Sequence, residues 1–171
     1  QMIAAMNMCK CGNSEAGQSC ARGPRCASDY QARISGPLLD RMDIQIELPA
    51  VRAADLTLPP PKEASADIAA RVFQARLRQR DRFEGLGLSN LRTNAEADGG
   101  LLEEIARPDE AGLRLLREAA DAMALSARGY HRVLRVARTL ADLDGKEKPS
   151  RLHIAEALSY RQRMGLVRQA A

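Results

Sequence analysis

The sequence predicts a short α/β segment followed by an all-helical bundle, mainly helical overall. Three observations predict it. Strand-like apolar patterns are confined to residues 1–50, a run of three prolines divides the chain, and the later apolar residues recur at the 3.6-residue period of amphipathic helices. The chain has 171 residues, 45% of them apolar and 28% charged, which is enough to bury a core and too apolar for a disordered tail. No apolar run approaches the roughly 18 residues of a membrane span. With 3% aromatic residues and no Trp, the composition argues against a base-stacking platform of the RRM or OB type.

The elements follow in order. Gln1 stands where a natural start would have Met, and Met2 to Met6 is already an apolar run, a pattern expected of a piece cut near a buried strand. Asn7 follows directly. A polar residue at the carboxyl end of a strand often faces the crevice where α/β sheets bind ligands, although Asn is also a common turn residue. From Asn7 to Ser28 the composition turns to Gly, Ser, Cys, Lys and Arg without periodicity, which predicts a loop in need of a staple. Asp29 to Leu39 reads as a short helix interrupted at Gly36-Pro37. Ile44, Ile46 and Leu48 alternate with Gln45 and Glu47, the pattern of a strand ended by Pro49. Val51 to Glu63 contains Pro59-Pro60-Pro61, and each proline fixes its own φ and disfavours helix in the residue before it. That stretch reads as an extended linker between a domain at 1–50 and a helical domain at 64–171.

Beyond the linker, Ser65 is positioned to cap a helix from Ala66 to about Glu84, with Ile68, Val72, Ala75 and Gln79 along one side and Gly85 and Gly87 ending it. Leu86 to Gly100 reads as an irregular crossing, with helices at Leu101 to Ala106 and Asp109 to Met123. Ser126 caps Ala127 to Leu143, closed by Gly145. In this helix Tyr130, Val133, Leu134, Ala137, Leu140 and Ala141 form an apolar face, and Arg128, Arg132, Arg135 and Arg138 are expected opposite it. A last helix, about Arg151 to Met164, follows Lys148-Pro149-Ser150.

Four cysteines, Cys9, Cys11, Cys20 and Cys26, fall in the spacing C-x-C-x8-C-x5-C, with none afterwards. No secretory signal precedes them, so a reducing cytoplasm is the expected compartment, where grouped thiols bind metal more often than they form disulfides. Four thiolates can close a tetrahedral shell around Zn2+ and contribute folding free energy to a loop without a core. Buried thiols and a disulfide are the competing readings. His131 and His153 lie far apart on helical stretches and are not expected as ligands. The net charge is +4; bases and acids balance at seven each through Glu63, so the whole excess lies in the helical part, the expected place for any anion binding.

Arg41 lies in Ser35-Gly36-Pro37-Leu38-Leu39-Asp40-Arg41-Met42-Asp43. Taken alone, an Arg flanked by two acids reads as a local ion pair. The longer segment SGPLLDRMDIQIELPAV, however, resembles the one that carries the arginine finger in AAA+ ATPases of the magnesium-chelatase I-subunit type, in their ComM-like competence-protein branch. AAMNMCKCG resembles that family's AAMNPCPCG, LSARGYHRVLRVARTLADLDG resembles its sensor 2 helix, and with HIAEALSYR the similarity runs from Gln1 to about Arg161. Met8 and Lys10 stand where relatives commonly have Pro.

The resemblance implies the C-terminal part of an AAA+ nucleotide-binding core followed by its helical lid. It assigns Asn7 to sensor 1, polarising the attacking water, Arg41 to the finger serving a neighbouring subunit's ATP, and Arg128 to sensor 2, with Arg132 and Arg135 as alternatives on the same helix. It further implies ATP and Mg2+ as cofactors and a hexameric motor on DNA, associated in the ComM-like branch with branch migration during natural transformation. The chain itself lacks a P-loop: its one Gly-Lys pair, Gly145-Lys146, is followed by Glu147 where Ser or Thr is needed. Nor does an apolar strand end in Asp-Glu, so hydrolysis by this chain alone is not expected. Two alternatives stand beside this reading. One is a magnesium-chelatase motor subunit; the other is a non-enzymatic, zinc-stapled module binding DNA through Arg71, Arg76, Arg78, Arg80 and Arg82.

Overall fold

The computed structural model describes residues 2–7, 9–11, 25–49, 51, 53–59 and 62–161. It is mainly helical, as the patterns predict. In order, the helices are α1 (Cys26–Gln31), α2 (Gly36–Leu39), α3 (Ser65–Gly85), α4 (Gly99–Ile105), α5 (Glu110–Ala122), α6 (Ala127–Leu143) and α7 (Arg151–Ser159), with 3-10 turns at Ala53–Thr57 and Asn94–Glu96. No helix among the described residues is long and apolar enough to cross a membrane. The chain divides into two compact units, one comprising Gln1–Met42 and Ile46–Leu58, the other Asp43–Gln45 and Pro59–Met164.

In the second unit α6 is the central helix, packing against α7, α3 and α4, while α5 packs on α7. The core joins Phe83, Leu102, Leu116, Val133, Leu134, Ala137, Ile154 and Leu158, all buried. Fully burying each large side chain contributes about 1.5–3 kcal/mol, so the amphipathic faces read from the sequence account for the bundle. The caps match local chemistry. Ser126 Oγ accepts from Gly129 N at 3.0 Å and Asp109 Oδ1 from Gly112 N at 2.7 Å, starting α6 and α5 where expected. At α3 the cap falls one residue earlier than expected: the Ala64 amide donates to Asp67 Oδ2 at 2.9 Å. The helix α6 ends with the Gly145 amide donating to Asp142 O and the Lys146 amide to Ala141 O, a Schellman closure that needs the left-handed φ of +68° at Gly145.

Three expectations are corrected. Met2–Met6 and Ile44–Leu48 are not strands, because a strand exists only as part of a hydrogen-bonded ladder and neither segment has a ladder partner among the described residues. Ile46 and Leu48 are instead exposed, and the Gln45 amide donates to Tyr160 O at 3.1 Å. The stretch before the prolines is not extended throughout, since Ala53–Thr57 closes into a 3-10 turn in which Thr57 Oγ1 donates to Ala54 O at 2.8 Å. Proline restricts only the residue before it, which leaves these positions free to turn. On α3, Ala75, Gln79 and Phe83 are buried, but Ile68 and Val72 are exposed, so the apolar side of this 21-residue helix is buried only from Ala75 onward.

The arginine row of α6 is also not a solvent face. Arg138 is completely buried, donating to Asp142 Oδ1 at 2.8 Å and to the carbonyls of Lys146 and Glu147. Asp142, equally buried, also receives Arg82 and, at 2.8 Å, Asn94 Nδ2. Two guanidiniums on one carboxylate leave a surplus positive charge, which faces carbonyls at the negative end of α6. Burial pulls the Arg138 guanidinium below its ordinary value; the Asp142 charge opposes this and the Arg82 charge reinforces it.

Candidate functional site

The structure brings three of the four cysteines together. Cys9 is buried, Cys11 and Cys26 are half-buried, and their Sγ atoms all lie within 4.8 Å of one another, with Cys9 and Cys11 at 2.7 Å. Cys20 lies outside the described residues. Sulfurs around a tetrahedral zinc stand roughly 3.8 Å apart, as Zn–S bonds of about 2.3 Å require. The cluster fits that donor set once the Cys9 and Cys11 sulfurs separate by about 1 Å, a side-chain adjustment. The cluster can therefore hold a metal. It is also the place in the first unit where a side chain of the described residues is fully withdrawn from solvent. Beside it opens a cavity of about 240 Å3 lined by Lys10, Arg25, Cys26, Asp29, Tyr30 and Arg33. Apart from Cys26 no motif marks these residues, although Cys26, Asp29 and Tyr30 follow the i, i+3, i+4 spacing of one face of α1 and Arg33 falls just beyond its end.

Neither histidine competes as a ligand. His153 accepts the Ser150 amide at Nδ1 and meets Asp144 Oδ2 at 3.0 Å through Nε2, while His131 Nε2 meets Glu103 at 3.0 Å.

Asn7 is exposed in the first unit, with no side-chain hydrogen bond among the described residues. Arg41, in the same unit, follows the short α2, whose start is capped by Ser35 Oγ accepting from Leu38 N at 3.3 Å. Its backbone amide donates to Leu38 O at 3.0 Å, which fixes the turn, while its exposed guanidinium makes no ion pair among the described residues. The acid two residues on, Asp43, is taken by Arg132 at 2.6 Å.

On α6 the four arginines differ sharply in their surroundings. Arg132 holds Asp43, Arg135 donates to Ala97 O at 3.0 Å and to Asp98 at 2.8 Å, and Arg138 is buried with Asp142. Arg128 in the first turn is exposed and has no side-chain partner among the described residues. Their spacing of four, three and three in sequence did not reveal this, because Asp43 and Asp98 come from other parts of the chain and only Asp142 lies on α6 itself.

Two family models cover most of the sequence: magnesium chelatase, subunit ChlI, over residues 1–56, and magnesium chelatase, subunit ChlI C-terminal, over residues 62–161. The chain belongs to the magnesium chelatase ChlI family. It is 38% identical over 162 residues to an uncharacterized protein of Mycobacterium tuberculosis, covering 95% of this chain and 31% of that one. It is 32% identical over 170 residues to the competence protein ComM of Haemophilus influenzae, covering 99% and 32%. With the uncharacterized protein YifB of Escherichia coli the identity is 33% over 174 residues, covering 94% and 30%. The chain thus spans about a third of the length of the curated relatives it matches.

Proposed function

We propose that this chain is the C-terminal portion of a cytoplasmic, hexameric, ATP-driven AAA+ motor acting on DNA, of the ComM-like kind, with ATP and Mg2+ bound in the complete protein. The observation that carries the reading is the contrast among the arginines. Arg128 and Arg41 are exposed without side-chain partners among the described residues, whereas Arg132, Arg135 and Arg138 are engaged by the protein. In phosphoryl transfer little covalent chemistry falls to the protein, and cationic donors stabilise charge developing on the phosphoryl oxygens. An arginine already neutralised by a carboxylate is poorly suited to that task. In this reading Arg128 is sensor 2, Arg41 is the finger that enters a neighbour's ATP site, and Asn7 is sensor 1, orienting the attacking water. Residues 1–50 belong to the nucleotide-binding core, 51–63 join it to the lid, and 64–171 form the lid.

Cys9, Cys11 and Cys26, with Cys20, hold a structural Zn2+ in this reading, and the ion supplies the loop with the cohesion a hydrophobic core would otherwise give. A DNA-binding module built on α3 receives less support. Arg71 pairs with Glu63, Arg80 with Glu84 and Arg82 with Asp142, while Arg78 donates to Asp142 O and Arg76 to Gln79.

The test is Arg41→Ala in the full-length protein. ATP turnover should fall by about 10³ or more while nucleotide binding by each subunit is retained. Mixing these subunits with P-loop-defective ones should recover some turnover, because each supplies what the other lacks at a shared interface. Absence of recovery in mixed rings shown to assemble, together with a lowered melting temperature, would make Arg41 structural.

A further inference from the structure

The cavity beside the thiol cluster has no role in the functions described so far. Its wall carries three cations, Lys10, Arg25 and Arg33, one acid, Asp29, and the ring of Tyr30, which gives the lining a net charge of +2. Asp29 lies four residues from each arginine, the spacing at which helical charges ordinarily pair. Yet neither arginine forms an ion pair with it, and none of the three cations has a side-chain partner among the described residues. Among the described residues no carboxylate competes with an outside anion for these cations.

Both sides of the cavity are anchored by thiols. Lys10 lies between Cys9 and Cys11, and Arg25 adjoins Cys26, which itself lines the cavity. Holding the three sulfurs together holds Lys10 and the α1 residues facing each other. At about 240 Å3 the cavity is smaller than the roughly 300 Å3 at which small-molecule sites begin, and it suits one group of a longer ligand. Guanidiniums favour phosphate oxygens through paired N–H donors, and the half-buried phenol ring of Tyr30 offers its open part to a base.

We infer that this cavity seats a backbone phosphate of single-stranded nucleic acid, gripped by Lys10, Arg25 and Arg33, with a neighbouring base stacked on Tyr30. The inference extends the proposed action on DNA by naming a contact site.

The experiment measures anisotropy of a fluorescein-labelled oligothymidine strand titrated with full-length protein over a range of salt concentrations. Arg25→Ala/Arg33→Ala should weaken binding about tenfold or more and flatten the log–log salt slope by about 0.7, the loss of one phosphate contact on a single strand. Tyr30→Leu should weaken it about fivefold or more with the slope unchanged. Arg25→Lys/Arg33→Lys, which preserves charge, should bind more tightly than the alanine pair, and retained helix content and metal content establish that the loop remains folded. Arg114→Ala/Arg117→Ala, equal in charge change but on α5, should bind like the unaltered protein. If the Arg25/Arg33 and Arg114/Arg117 pairs behave alike, the cavity is not the site, although the action on DNA stands. If the unaltered protein does not bind the strand, both fall.

Discussion

The two units use similar residues to opposite ends. In the helical unit the apolar side chains recur at helical spacing and find one another, so that Phe83, Leu102, Leu116, Val133 and Ile154 are completely buried. In the first unit Cys9 is the buried member of the described residues, while Met2, Ile3, Ile46, Leu48 and Val51 remain largely exposed. A helix satisfies its backbone internally and needs a neighbour only for its apolar face, whereas an apolar strand needs neighbours for its backbone as well. The difference shows that a stretch of sequence can carry strand-like patterning and still form no strand where no ladder partner stands beside it among the described residues. It also explains why a cluster of thiols sits where a core is thin.

The contrast is sharpest at Asp142. Three separate groups converge on this buried carboxylate, so Asp142→Ala leaves two guanidiniums facing each other without their counter-ion. The helical unit should lose about 3–5 kcal/mol, read as a lower urea midpoint of far-UV circular dichroism. A loss below about 1 kcal/mol would show that solvent reaches the network and that the core is apolar packing alone.

The first unit should respond instead to metal. Protein purified without chelator is expected to carry about one Zn2+ per chain. Its removal should open residues 9–33 to protease while leaving the helical unit's urea midpoint in place. Stoichiometry near zero with four freely titrating thiols would break the comparison by removing the proposed substitute for a core.

Helix ends offer a smaller, two-signed check within the helical unit. The helix α5 closes like α6, with Leu125 N donating to Ala120 O and Ala124 N to Asp121 O, but places an alanine at φ +46°. Replacing Ala124→Gly should raise stability by about 1 kcal/mol, because glycine takes the left-handed conformation without penalty. Gly145→Ala should lower it by at least that amount, since the added Cβ also meets Arg78 Nη2 at 3.1 Å.

The smallest expected effect is on pH dependence. Thr93 Oγ1 donates to Glu96 at 2.7 Å and, with the Arg92 amide, holds this carboxyl below the usual glutamate value. A carboxyl depressed in the folded state adds stability above its unfolded pKa and loses it as pH falls through the folded one. Thr93→Val should therefore make the decline in melting temperature on acidification shallower below about pH 4.3. An unchanged decline would show that the turn before α4 contributes nothing to acid stability.

By itself the sequence determined where the helices of the second unit lie, the cap at Ser126, the stop at Gly145, the family motifs and the grouping of the cysteines. Each of these is set by residues within a few positions of one another, through periodicity, capping and spacing. Only the tertiary structure decided that Arg132 and Arg135 are taken, because Asp43 and Asp98 reach them from elsewhere in the chain, whereas Asp142 stands four residues from Arg138 on the same helix. It likewise decided that Ile68 and Val72 stay exposed and that Lys10 faces Arg25 and Arg33 across one cavity. The physical reason is that burial and charge pairing depend on what arrives from a distance, whereas helix formation depends on the next four residues.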